Sequence, residues 1–170
     1  MDDAILQRRF EAMASADGPV PVQAALALYD ELPAVELDEL IGDWDGRCVR
    51  TGHPGEAHLE QLGWVGKRVD GRDHVDPLIC RTPDGRRVTS AFVGAAALRR
   101  VEYREVLTAT IVYDARPYLE HFRRVSDDVL LGAAERKGER DPLMFWLRRL
   151  VAHSPRLSTS ASSGSARSSA

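Results

Sequence analysis

Residues 98–114, LRRVEYREVLTATIVYD, constrain the fold more than any other stretch of the chain. Val101, Tyr103, Leu107, Ala109, Ile111 and Tyr113 alternate with Glu102, Arg104, Val106, Thr108, Thr110 and Val112, a period of two that belongs to strands. Strands usually run about 3–10 residues, so this run must contain a bend, bulge or turn. If its even-numbered face points inward, Arg104, Thr108 and Thr110 form a polar pocket. If the odd face does, Tyr103, Leu107, Ala109 and Ile111 make the interior greasy.

Other short extended runs surround it. Asp84-Gly85 separates His74–Arg81 from Arg86–Val93, and Asp-Gly between extended runs is a hairpin signal because glycine supplies the positive φ of the turn. Cys48–Arg50, Trp64–Val69, Val129–Ala134 and Leu143–Leu150 also read as strands. No βαβ alternation appears, which excludes a doubly wound sheet.

Helical periodicity is confined to short pieces. Leu6, Phe10 and Met13 mark a helix over 3–15, ended by Gly18-Pro19, and Val22, Ala25, Leu26, Tyr29 and Leu32 mark a second, stopped by Pro33. Leu37–Ile41 predicts one helical turn, and residues 53–62 a loop with one or two more. Pro117 at a favoured first position, followed by Tyr118, His121, Phe122 and Val125, predicts a further helix. The expected division is a helical segment over 1–35, a β domain over 36–152 and a disordered tail over 153–170. That tail is too rich in Ser and too poor in apolar residues to offset chain entropy.

Twenty-three basic against 26 acidic residues give a net charge of −3. Each Arg pair is answered by nearby acids, so nothing favours nucleic acid. Cys48 and Cys80 have no metal-like spacing and read as reduced thiols. No stretch reaches the ~20 apolar residues of a membrane span, and no leader pattern opens the chain. The expectation is a cytoplasmic protein without a membrane span, monomeric or homodimeric.

Leu40-Ile41-Gly42-Asp43-Trp44-Asp45-Gly46 runs a helical turn into G-x-W-x-G at the first strand. This resembles the opening of calycin barrels, the lipocalins and fatty-acid-binding proteins. There the glycines let strands bend and approach while the Trp plugs the closed end. The resemblance implies a basic residue of the last strand stacked over Trp44, with Arg148 or Arg149 as the match and Arg148 preferred. More closely, the chain is similar to the bacterial GXWXG family, whose members continue into a second uncharacterised region. Thr51-Gly52-His53-Pro54, Gly63-Trp64-Val65-Gly66-Lys67-Arg68 and Asp76-Pro77-Leu78 match its first part. Val101-Glu102-Tyr103-Arg104, Ala109–Asp114, Pro117, His121-Phe122-Arg123 and Val129–Gly132 match its second. The implied fold is a mainly β, calycin-like antiparallel barrel with two N-terminal helices, and the implied ligands are fatty-acid-like or other lipids.

Candidate ligand-binding residues follow from pattern. Trp64 reads as plug, rim or pocket wall. Lys67 alternates with Val65 and Val69, so it is either a solvated strand lysine or an inward ammonium that needs an anionic partner. His121, beside Tyr118 and Phe122, is a packed core histidine, a ligand contact or a haem-iron ligand. Tyr103, Arg104 and Thr108 complete the candidates with Phe122, while Gly42, Trp44, Gly46 and Arg148 are structural. His53, Glu56, His58 and Glu60 lack the paired-His spacing of a metal site. No nucleophile elbow or Cys–His pair appears. The reading is therefore non-catalytic binding of a small apolar ligand. A haem barrel and a filled barrel that serves as an interaction module are the alternatives.

Overall fold

The structure, a computed structural model, describes residues 3–150; the Ser-rich tail lies outside them. Helices α1 (Asp3–Ala14) and α2 (Val22–Glu31) and a 3₁₀ turn (Leu37–Leu40) precede β1 (Gly42–Cys48). Helix α3 (Pro54–Gln61) leads into β2 (Trp64–Gly71), β3 (His74–Arg81) and the short β4 (Arg87–Thr89). Then follow β5 (Ala96–Tyr103), β6 (Val106–Tyr113), β7 (Tyr118–Ser126), β8 (Val129–Arg136) and β9 (Leu143–Arg149).

Antiparallel pairing runs β1-β9-β8-β7-β6-β5-β3-β2 and returns to β1, so eight strands close a barrel. Strand β4 shares one edge of β3 with β5. The β3–β5 seam is narrow: Val75 pairs with Ala96, and Leu98 N–H donates to Arg72 O at 2.7 Å. The segment between β4 and β5 crosses beside that seam.

The 98–114 run is a hairpin: of the bend, bulge or turn that its length called for, it holds a turn. Its two-residue turn holds Arg104 and Glu105 at φ 50° and 63°, the left-handed geometry of a tight hairpin turn. Tyr103 pairs with Val106 and Leu98 with Ile111. Inward residues are therefore even-numbered on β5 (Ala96, Leu98) and odd-numbered on β6 (Ala109, Ile111, Tyr113). A single parity for the whole run does not hold, because cross-strand partners share a face and the turn reverses the count.

The segment after Pro117 is strand β7, not the expected helix. Tyr118, Glu120 and Phe122 face one way while His121, Arg123 and Val125 face the other. Its sequence satisfies both periods. Ladders with β6 and β8 leave no room for a helix, since a barrel stave must be extended to satisfy both neighbours' backbone groups.

Two apolar clusters divide the molecule. The barrel interior holds Trp44, Val69, Leu98, Ile111, Phe122 and Phe145 among others. On the outer face of β7–β9, Val125, Leu131, Ala133 and Met144 are covered by Leu6 and Phe10 of α1 and Leu26 and Tyr29 of α2. The helices thus pack outside the barrel, and each large apolar side chain they bury contributes about 1.5–3 kcal/mol. No helix among the described residues is long and apolar enough to cross a membrane.

Candidate functional site

Trp44 belongs to the interior cluster of the barrel, next to the 3₁₀ turn that leads into β1. Its indole is fully buried, and Nε1 donates to Leu40 O at 2.9 Å. The guanidinium of Arg149, not that of Arg148, lies 4.2 Å from the ring centroid and donates to Ile41 O and Glu39 O. The register explains the correction. Arg149 is the cross-strand partner of Trp44, whereas Arg148, one residue earlier, projects to the other face over Trp146.

Elsewhere in the barrel lies a partly open cavity of about 380 Å³, within the ~300–1,000 Å³ common for small-ligand sites. Leu59 of α3, Leu62 just after that helix, Leu78 of β3, Val93 of the β4–β5 segment, and Leu143 and Phe145 of β9 give it an apolar wall. Helix α3 is placed there by its N-terminus. Gly55 N–H donates to His53 Nδ1 at 3.0 Å, and Glu56 accepts from Thr51 and His53 N–H groups. These contacts give His53 and Glu56 a capping role. Among the described residues no cluster of metal-ligating side chains forms. Phe92, half exposed, meets His58 across the mouth with ring centroids 5.2 Å apart.

Lys67 belongs to the polar part of the cavity wall. A bulge around Gly66 lets both Trp64 and Lys67 serve the interior, because each bulge shifts strand parity by one. Trp44 O lies 1.9 Å from where a Cβ of Gly66 would sit, so only glycine fits there. Lys67 is buried. Its Nζ donates to Pro77 O at 3.0 Å and to Glu120 Oε1 at 2.9 Å, and lies 2.8 Å from Oε2. The same ammonium sits 5.3 Å from the Trp64 ring and 5.0 Å from the Phe145 ring. Tyr113 donates to Glu120 Oε1 at 2.9 Å. Burial, reinforced by the Glu120 carboxylate, pushes the Tyr113 phenol well above its ordinary range, so it remains a neutral donor. Trp64 Nε1 is buried without an acceptor.

The structure brings Trp64 and Lys67 together on this cavity and places the other candidates elsewhere. Phe122 packs edge-on against Phe145, at 5.7 Å, in the barrel core. Thr108 lies outside the interior, accepting from Val35 N–H at 3.0 Å and donating to Phe122 O at 2.6 Å. Arg104, in the hairpin turn, forms an ion pair with Asp30 of α2. Tyr103 stacks on His121 at 4.0 Å between centroids, on the outer face. His121 is buried there with both nitrogens engaged, Nδ1 with Thr110 at 2.9 Å and Nε2 with Glu135 at 3.2 Å. That imidazole has no free nitrogen for a haem iron and does not face the cavity. Sequence reasoning missed Glu120 and Tyr113. Once 118–126 is read with period two, Glu120 shares a face with Tyr118 and Phe122, and an inward Lys67 requires such a carboxylate.

The profile of the GXWXG protein family matches residues 27–85, and that of a domain of unknown function, DUF4334, matches residues 94–149. No curated protein matches the chain. A crystal structure of a protein from Thermomonospora curvata superposes with a TM-score of 0.81 at 36% identity, covering 86% of this chain and 99% of that one. Both halves are matched in order, and the solved relative shares more than a third of its residues, so the chain belongs to the GXWXG family in the form that continues into the DUF4334 region.

Proposed function

We propose that the protein reversibly binds a small apolar ligand inside its barrel. The observation that carries this reading is the 380 Å³ cavity between Trp64, Phe145 and α3, with an apolar wall and one polar cluster. Filling it with a ligand removes apolar surface from water, at about 25 cal/mol per Å². The polar cluster gives the ligand an orientation. The exposed Phe92 beside His58 sits where an entering ligand would pass.

The test is native mass spectrometry of freshly purified protein with solvent extraction of whatever it carries, followed by titration with an environment-sensitive apolar dye. Uptake of one equivalent, abolished by Ala134→Phe, which fills the cavity from β8, supports the reading. A protein that takes up no dye, or takes it up equally after the substitution, is not a cavity binder.

A further inference from the structure

Every cation on the cavity wall already has an anion. Lys67 is held by Glu120 in the interior, and Arg136 at the mouth is held by Glu139 at 2.7 Å. His53 accepts from Gly55 N–H through Nδ1, and its Nε2 lies 4.0 Å from Glu139. His58 rests against Phe92. The cavity wall is therefore largely apolar, and its charges are paired.

We infer that the ligand is uncharged, an apolar alcohol, ketone or ester, and that the site discriminates against ionised carboxylates. This rests on the cavity-binding reading above. A carboxylate entering the barrel loses its hydration and finds no unpaired cation. Lodged near Lys67 it would leave two carboxylates sharing one ammonium, an arrangement in which one must take up a proton. An uncharged oxygen incurs no such penalty. The selectivity lies in Glu120: the same Lys67, freed of it, would become a carboxylate receptor.

The experiment measures displacement of a bound apolar dye by decan-1-ol, decan-2-one and decanoate at about pH 8, where the acid is ionised. The native protein should bind the alcohol and ketone at least about tenfold more tightly than decanoate. Glu120→Gln, which keeps the shape and the acceptor for Tyr113, should reverse that order. Should this variant not fold, acidifying the native protein through the ligand's own titration range near pH ~5 decides instead: decanoate binding rises while decan-1-ol binding stays level. Decanoate binding as tight as that of decan-1-ol at pH ~8, or failing to strengthen on acidification, overturns the inference but leaves the cavity reading standing. If none of the three competes and the dye does not bind, both fall.

Discussion

The indole of Trp64 lies on the backbone of Gly46: a Cβ there would sit 2.5 Å from Cη2 and 2.6 Å from Cζ2 of that ring. The second glycine of the G-x-W-x-G motif thus exists for a residue outside the motif. From that seat Trp64 meets Phe145 edge-on at 5.9 Å and forms one side of the cavity. Gly46→Ala should cost about 1–3 kcal/mol in urea unfolding by overpacking. In a Trp64→Leu background the same change should cost less than half as much. Equal costs in both backgrounds would show that the ring is not the reason for the glycine.

The stack of Arg149 on Trp44 predicts an asymmetry between neighbouring arginines. Arg149→Met removes charged donors from Glu39 O and Ile41 O and should cost about 1.5–3 kcal/mol. Arg148→Met, at an exposed position, should stay within about ±0.5 kcal/mol. Denaturant midpoints of the two variants check this directly.

The pairing of Lys67 with Glu120 is buried on both sides. Lys67→Met leaves an unpaired carboxylate and should destabilise by about 3–5 kcal/mol. Adding Glu120→Gln removes that charge while keeping an acceptor for Tyr113, and should recover most of the loss. Thermal unfolding of the single and double variants measures the coupling.

Arg123 presents the opposite situation under the helices. It is fully buried, with one long hydrogen bond to Tyr103 O at 3.3 Å and a cation–π contact 4.9 Å from the Tyr29 ring. Nε and Nη1 have no partner, and burial lowers the guanidinium pKa. Arg123→Met should therefore be neutral or stabilising, within about 1 kcal/mol of the native protein or above it. A loss beyond about 2 kcal/mol in the same assay would mean that the charge is compensated.

Desolvation lowers the pKa of His121, partly countered by the hydrogen bond to Glu135. With the folded value below the unfolded value of about 6.5, the unfolded chain binds more protons in that window. Stability is then full above pH ~6.5 and falls as the pH drops through the folded value. His121→Gln should flatten this acid limb relative to the native protein, as measured by unfolding free energy between pH ~5 and ~8. An unchanged slope would place the acid sensitivity elsewhere.

Short-range signals in the sequence were sufficient for the barrel class, the two N-terminal helices and a break inside 98–114. Each is written in contiguous residues: a period of 3.6 or 2, a Pro or Gly stop, or a glycine-spaced motif. The candidate site was legible at Trp64 and Lys67, which lie within one motif. It was not legible at Glu120, because Tyr118–Ser126 satisfies the helical and extended periods equally well by pattern. Only hydrogen bonding to β6 and β8 selects the strand.

Which face each residue takes was decided by the tertiary structure. The two-residue turn at Arg104-Glu105 and the bulge at Gly66 each reset parity, sending Tyr103 outward and Trp64 inward. A periodicity count cannot see such a reset, since it adds or removes a single residue from an otherwise regular pattern. The Lys67–Glu120 pair spans 53 positions and exists only because closing the barrel brings β2 and β7 to one interior. Local sequence determined the elements other than β7, and ring closure determined that strand and which charges meet, because a buried ammonium must find its carboxylate across the barrel rather than along the chain.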